Sequence, residues 1–276
     1  MTGKSEWEGR VGSSWASEWR RTDRAFGELT PRLLADIRQR AGSRVLDIGC
    51  GAGELSLAIG RERSAASVHG IDISEALIEA ARTRGANMPN ASFECTDAAT
   101  WQPAASAPDL MVSRHGVMFF DDPVAAFRHL ANIAAPGASL VFSCFRSRSQ
   151  CPFFTEIDAI VGASPTPEQP MTYQPGPFGF SDANLVQDIL ADAGWTEIEL
   201  VPHDFAMVAG AGPDPVEDAL AYFRRIGPAA SVMAEASPEE RSRIETGIRA
   251  FAERHLHGGI VAARAAAWIV KARKQA

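Results

Sequence analysis

The run Val45-Leu46-Asp47-Ile48-Gly49-Cys50-Gly51-Ala52-Gly53-Glu54 constrains the fold more than any other stretch of the chain. A short apolar segment of strand character passes through an acid into three glycines spaced two apart, then into a helix-forming segment. Glycine reaches positive φ and lets a ligand approach the backbone closely. A helix N-terminus offers unpaired N–H groups to that ligand. Strand, glycine turn and helix together read as the nucleotide-binding corner of an open α/β sheet. The details argue against a dinucleotide. Glu54 stands where the third glycine of G-x-G-x-x-G belongs, and the Asp47 carboxylate would face a pyrophosphate with like charge. The same carboxylate suits an ammonium group. Asp72, 25 positions on (72 − 47), lies at the tip of the next expected strand, where it can accept two hydrogen bonds from a ribose diol.

Around this corner the chain alternates between strand and helix. Strands are expected at Arg44–Ile48, Val68–Ile73, Ala91–Cys95, Asp109–Ser113 and Ala138–Phe145. Helices are expected at Glu54–Glu62, at Ser74–Arg84 with Ser74 as N-cap and Gly85 beyond its end, and at Asp122–Ala134. Such a series predicts a parallel sheet covered by helices on both faces. Residues 1–42 read as helical. Trp7, Val11, Trp15 and Trp19 recur near every fourth position, and Pro31 opens a second helix. Residues 146–181 are proline-rich without a period and read as a long cap loop. A helix at Asp182–Ala193 and a strand at Trp195–Pro202 follow. Helices over 214–257 look inserted before a final strand at Ala267–Ala272.

The motifs resemble those of class I S-adenosylmethionine-dependent methyltransferases, in the group related to ubiquinone and menaquinone C-methyltransferases. Val45–Gly53 resembles that family's first motif, and His69-Gly70-Ile71-Asp72-Ile73-Ser74 its second. Phe93–Ala98 resembles the acidic motif, Asp109–Pro123 the fourth-strand motif and Ala134–Ala138 the turn before strand five. The resemblance is strong over about residues 40–145 and weaker outside them. It implies a Rossmann-like, seven-stranded, mostly parallel sheet with an antiparallel last strand and a mainly helical cap. The domain reading is an N-terminal helical lid over 1–42, a cofactor core over 43–145, the cap loop over 146–181, and completion of the sheet over 182–276 with the helical insertion. The cofactor implied is S-adenosyl-L-methionine, leaving as S-adenosyl-L-homocysteine. Asp47, Gly49 and Gly51 would border its methionine part. Asp72 would hold the ribose, Ile73 would pack on adenine, and Asp97 and Ala98 would read the adenine edge. Ser113 and Arg114 would lie near the methyl donor. Independently of the resemblance, the N-terminal tryptophans place Trp15 as a lid over the cofactor with Trp7 and Trp19 as its packing base, or leave all three as core packing.

Methyl transfer from a sulfonium is an in-line displacement, so the protein mainly aligns the acceptor and excludes water. A hydroxyl, amine or carbon acceptor also calls for a base. His115, directly after strand four, is the candidate, with simple packing as the alternative. An apolar acceptor chamber would draw on Met118, Phe119, Phe145, Tyr173, Phe178 and Phe180, with ordinary cap packing as the alternative. Asp121-Asp122 before Pro123 read as a helix N-cap. The expected activity is methyl transfer to O, N or C of a small, partly apolar metabolite. The alternatives are another reaction type on the same cofactor, or a non-catalytic accessory protein.

Composition narrows the partners. A net charge of −7 without a Lys/Arg cluster, and the absence of an Asn/Asp-Pro-Pro-aromatic motif, speak against nucleic acid. Cys50, Cys95, Cys144 and Cys151 show no C-x-x-C spacing, so no metal site is expected. No apolar run reaches the length of a bilayer span, and the first ten residues carry no apolar signal core. The expectation is a cytoplasmic monomer or homodimer.

Overall fold

A computed structural model describes residues 4–163 and 172–275. The chain begins with four short helices, α1 (Lys4–Glu8), α2 (Arg10–Ser17), α3 (Trp19–Ala25) and α4 (Leu29–Arg38). The alternating core follows as β1 (Arg44–Ile48), α5 (Glu54–Glu62), β2 (Ser67–Asp72), α6 (Glu75–Arg84), β3 (Ala91–Cys95), β4 (Leu110–Arg114), α7 (Pro123–Ile133) and β5 (Ser139–Phe145). Then come α8 (Pro152–Val161), α9 (Ala183–Asp192), β6 (Trp195–Ala211), α10 (Pro215–Phe223), α11 (Pro228–Glu235), α12 (Pro238–Arg254), the two-residue β7 (Leu256–His257) and β8 (Ile260–Lys274). The sheet runs β3-β2-β1-β4-β5-β8-β6, with β7 folded back on β8. β1 to β5 are mutually parallel, and β8 is antiparallel to both β5 and β6. Strand order reverses between β1 and β4, which opens a crevice at their C-terminal ends.

Local chemistry sets the element ends. The Ser74 hydroxyl accepts from Leu77 N at 3.5 Å, and the Gly85 N–H closes α6 on Ala81 O. Asp122 accepts from Ala125 N at 2.9 Å with Pro123 in the first turn of α7, so the Asp121-Asp122 pair supplies the cap expected of it. The central strands β1, β4 and β5 are buried along nearly their whole length, as befits a sheet covered on both faces. The N-terminal segment differs from its tryptophan periodicity: the backbone leaves helical geometry at Gly9 and again at Glu18, giving three short helices where one was expected. Within the proline-rich stretch, Pro152–Val161 forms a helix. Residues 164–171 of that stretch lie outside the described ones.

The largest difference concerns β6 and β8. Their sheet-completing parts continue well past Pro202 and well before Ala267, and the two pair from Trp195↔Lys274 to Ala211↔Ile260. Alanine favours helix and is depleted in strands, so Ala262–Ala267 does not read as strand. Tertiary packing decides it. Ala265 and Ala267 are fully buried. Small side chains there let α8 approach, and Ala266 N donates to Cys151 Sγ at 3.3 Å. This long ribbon carries α8 and α10 above the crevice. Among the described residues no helix is long and apolar enough to cross a membrane, and no group of three His, Cys, Asp or Glu could hold a metal.

Candidate functional site

A cavity of about 860 Å³ opens over the C-terminal ends of β1, β2, β4 and β5. At one end lies the turn from β1 to α5. Gly49 and Gly51 hold φ of +64° and +55°. A Cβ on Gly49 would stand 2.8 Å from Gly116 Cα, so the loop after β4 requires glycine there. A Cβ on Gly51 would meet nothing within 4 Å: its backbone faces open space. Asp72, at the tip of β2, shapes this turn by accepting Gly51 N and Ser74 N, both at 2.9 Å. Its burial pushes its carboxyl up, which these backbone donors only partly offset.

Asp47 is fully buried on β1. Its Oδ2 accepts the Ser56 hydroxyl at 2.5 Å, and its Oδ1 has no partner among the described residues. Burial raises this carboxyl to about 7, against the opposing pull of Ser56 and Arg114. A buried acceptor left unpaired costs about 1–3 kcal/mol, so its retention here asks for a ligand. Asp97 accepts Lys4 Nζ at 2.6 Å and Ala99 N at 2.9 Å. Burial would raise its carboxyl, but these two donors prevail and hold it below the ordinary range. Ile73, Ala98 and Trp15 line the same end of the cavity, and Trp15 stands edge-on to Trp7 at 5.3 Å.

At the end of β4 the chain turns sharply. Arg114 Nη1 donates to Thr30 Oγ1 at 2.8 Å, and Arg114 Nη2 pairs with Asp23 at 3.2 Å. Asp23 also takes Arg84 at 2.8 Å, and Arg84 reaches Ala52 O at 2.7 Å. Asp23 thus ties α3 to both the glycine turn and β4. It lines the cavity, yet no local spacing in the sequence announced it. His115 sits in the left-handed region, φ +61°. It packs between Phe26 at 5.1 Å and Phe145 at 4.2 Å, its Nδ1 is 2.8 Å from Ser143 Oγ, and its Nε2 has no partner among the described residues. Burial, aided by Arg114, lowers the imidazole to about 3. An imidazole that weakly basic is a poor proton acceptor near neutrality, which corrects the expectation of a near-neutral base.

The rest of the wall is aromatic. Met118, Phe119, Phe145 and Phe178 all line it. Three expected residues do not. Ser113 donates to Ile48 O at 2.6 Å and accepts Gly116 N, pinning the β4 loop against β1. Tyr173 spends its hydroxyl on Met118 O and Phe120 O, which tethers the cap segment. Phe180 is wholly buried against Phe127 and Phe142. Conversely, Phe26, Arg148, Met207 and Tyr222 line the cavity without a sequence signal. Met207 sits on the part of β6 that did not read as strand.

The model of a methyltransferase domain family matches residues 18–173, more than half of the chain. The chain belongs to the methyltransferase-domain family. Among its relatives, this methyltransferase-domain protein is 34% identical over 118 residues to a trans-aconitate 2-methyltransferase of Variovorax paradoxus, covering 43% of this chain and 44% of that protein. It is 38% identical over 116 residues to an aklanonic acid methyltransferase of Streptomyces sp., covering 41% and 53%. The chain thus spans about half the length of the curated relatives it matches. A Haemonchus contortus phosphoethanolamine N-methyltransferase 2, solved with S-adenosyl-L-methionine, shares the fold at TM-score 0.57 and 15% identity, covering all of this chain and 61% of that one.

Proposed function

We propose that this methyltransferase-domain protein binds S-adenosyl-L-methionine across the β1 turn and the β2 tip, and directs its methyl group to a small, partly apolar metabolite. The observation that carries this reading is Asp47 Oδ1, which has no partner among the described residues and is buried beside a glycine turn whose Gly51 faces open space. A cationic amino group would supply the missing partner of Asp47. The Asp72 oxygens keep lone pairs beyond their two backbone donors, enough for a ribose diol. Asp97 and the Ala98 backbone stand further along the same groove, in reach of an adenine edge once Lys4 shares the carboxylate. Relatives named for trans-aconitate and aklanonic acid support a small organic acceptor.

When bound, the cofactor supplies a methyl carbon on sulfur that is open to in-line attack. The chain's own residues do the rest. Asp47 and Asp72 fix the two ends of the cofactor, and Arg114 is held rigid by Asp23 and Thr30 at the end of β4. Phe145, Phe178 and the edge-on pair Trp7–Phe119 keep water from the space above it. The net charge of −7 supports a metabolite rather than a nucleic acid as acceptor, and we read the protein as a cytoplasmic monomer or homodimer. Equilibrium binding tests the reading: S-adenosylhomocysteine should bind in the micromolar range, with no heat from NADH. Binding of NADH, or none of S-adenosylhomocysteine, defeats it.

A further inference from the structure

The acids of the described cavity wall are segregated, while cations lie on both sides, Lys4, Arg10 and Arg114 among the acids and Arg148 and Arg225 apart from them. Among the described residues, the six acids that line the cavity, Asp23, Asp47, Asp72, Asp97, Asp121 and Asp122, come from the part of the chain before residue 123. From Phe145 to Ser231 the described wall contains two arginines, Arg148 and Arg225, and no Asp, Glu or Lys. Both arginines are anchored from behind. Arg148 Nε and Nη2 each donate to Asp158 at 2.6 Å, and Arg225 Nε lies 3.3 Å from Glu18. Neither Asp158 nor Glu18 lines the cavity. Arg148 also stacks over the Phe178 ring at 4.8 Å, and among the described residues its Nη1 has no partner. The remainder of this wall is ring-rich: Phe145, Phe153, Phe154, Phe178, Tyr222 and Phe223.

A second observation bears on the group that reacts. Ser143 is fully buried, and among the described residues its hydroxyl has one neighbour able to accept a proton, His115 Nδ1 at 2.8 Å. A buried hydroxyl places its proton on the available acceptor. Ser143 therefore donates to Nδ1, which leaves the other imidazole nitrogen as Nε2–H. This is the nitrogen without a partner among the described residues, on a side chain of the cavity wall. His115 thus offers the acceptor a hydrogen-bond donor and has no lone pair free to take a proton.

We infer that the methyl acceptor is a ring-bearing organic acid that reacts through an oxygen already ionised, with His115 Nε2–H donating to the acid and Arg148 supplying its positive field. The inference rests on the proposed function and names the acceptor class for it. The bookkeeping of such a transfer is simple. One carboxylate lone pair forms the O–CH3 bond while the donor's S–CH3 bond breaks with its electron pair on sulfur. The sulfonium charge and the carboxylate charge cancel, and no proton has to leave. The described wall from Phe145 to Ser231 has donors and cations but no carboxylate and matches that requirement, whereas a phenol or amine held against it would have to pass its proton across the cavity to the acids of the opposite wall.

Three matched probes test it: 2-naphthoate, 2-naphthamide and 2-naphthol, titrated calorimetrically into the protein saturated with S-adenosylhomocysteine. Naphthoate should bind on the order of tenfold more tightly than the amide or the naphthol, as a charge-assisted contact to an arginine implies. The double variant Arg148→Met/Asp158→Asn, which removes the arginine without stranding its carboxylate, should erase that preference and leave the affinity for S-adenosylhomocysteine unchanged. In the second arm, methyl-labelled donor is incubated with naphthoate. The label should appear in a product that releases methanol in mild alkali, as an ester does and an aryl ether, amine or carbon adduct does not. Equal binding of the three probes, preference surviving in the double variant, or an alkali-stable label overturns the inference while tight S-adenosylhomocysteine binding keeps the proposed function. Absence of S-adenosylhomocysteine binding ends both.

Discussion

Residues 47–98 supply most of one end of the cavity, closed by Lys4 and Trp15, with Asp47 and Asp72 at the ends of β1 and β2 and Asp97 just beyond β3. The opposite end is assembled from β5, α8, residues 174–181, β6 and the α10–α11 region, segments that lie far apart in sequence. The first is polar, acidic and shaped by backbone. The second is aromatic and shaped by side-chain packing, with two arginines for polarity. A site of the first kind depends on φ values and strand order, so few replacements preserve it. A site of the second kind can change its occupant by exchanging rings while the sheet beneath stays the same. One fold can thereby keep one donor and take many acceptors.

Breaking the backbone end should therefore have the largest effect. Gly49→Val places a branched side chain at φ +64°, with its Cβ 2.8 Å from Gly116. Strain at such positions costs about 1–3 kcal/mol before any contact with Gly116 is counted. The affinity for S-adenosylhomocysteine should fall on the order of 100-fold by calorimetry. Retained affinity would show that the turn is not the cofactor's floor. Asp72→Ala comes next. It removes the acceptor of Gly51 N and Ser74 N as well as the groups expected to hold the ribose. A loss of about 2 kcal/mol, roughly 30-fold in dissociation constant, is expected. A probe of the aromatic end, such as 2-naphthoate, should bind either variant as it binds the parent protein if the two ends are independent. Equal losses at both ends would erase the distinction.

The same contrast governs what could be read in advance. The β1 turn, the β2 tip and the caps Ser74 and Asp122 follow from chemistry within a few residues, and the sequence carries them plainly. Asp23 becomes part of the site only because Arg84 and Arg114, 61 and 91 positions away, converge on it. No spacing rule records such a convergence. Tyr173 and Phe180 were reasonable candidates for the chamber by composition, yet one spends its hydroxyl on backbone carbonyls and the other fills the core. The alanine-rich half of β8 reads as helix by propensity, and its strand state depends on its pairing with β6 from His203↔Ala267 to Val208↔Ala262 and on the close approach of α8. Since Met207 and Tyr222 are carried by that ribbon and the helix following it, missing the strand meant missing the chamber.

The cofactor end should also respond to pH in a way the aromatic end does not. Burial holds Asp47 at about 7, well above the ordinary carboxylate value of about 3.9. Arg114, Asp72 and Ser56 face it, the first and last opposing the rise and Asp72 adding to it. A cationic amino group needs the carboxylate form, so affinity for S-adenosylhomocysteine should be constant above about pH 7. Below that it should weaken by up to about tenfold per unit as Asp47 takes up a proton. Asp47→Asn should flatten this dependence at a lower affinity. Without ligand the sign reverses. Between the unfolded and folded values the native state binds the extra proton, so this group's contribution to stability falls as pH rises from about 4 to 7. Thermal melting across that range checks it, and a ligand affinity indifferent to pH would place the amino group elsewhere.

The smallest effect should come from Tyr222→Phe. Tyr222 is on α10 and lines the aromatic end, and its hydroxyl makes no hydrogen bond among the described residues. Its ring packs edge-on against Phe223 at 5.1 Å and against Phe153 at 6.1 Å, contacts that phenylalanine preserves. Only the hydroxyl is lost, so folding and S-adenosylhomocysteine affinity should not change. A net hydrogen bond to an acceptor is worth about 1 kcal/mol, so KM for the methyl acceptor should rise roughly fivefold with kcat little altered. An unchanged KM would mean that this hydroxyl reads nothing and that selectivity rests on ring packing and the arginines alone. A fall in kcat with KM constant would instead place Tyr222 beside the reacting oxygen, and His115 would then share with it the donor role assigned above.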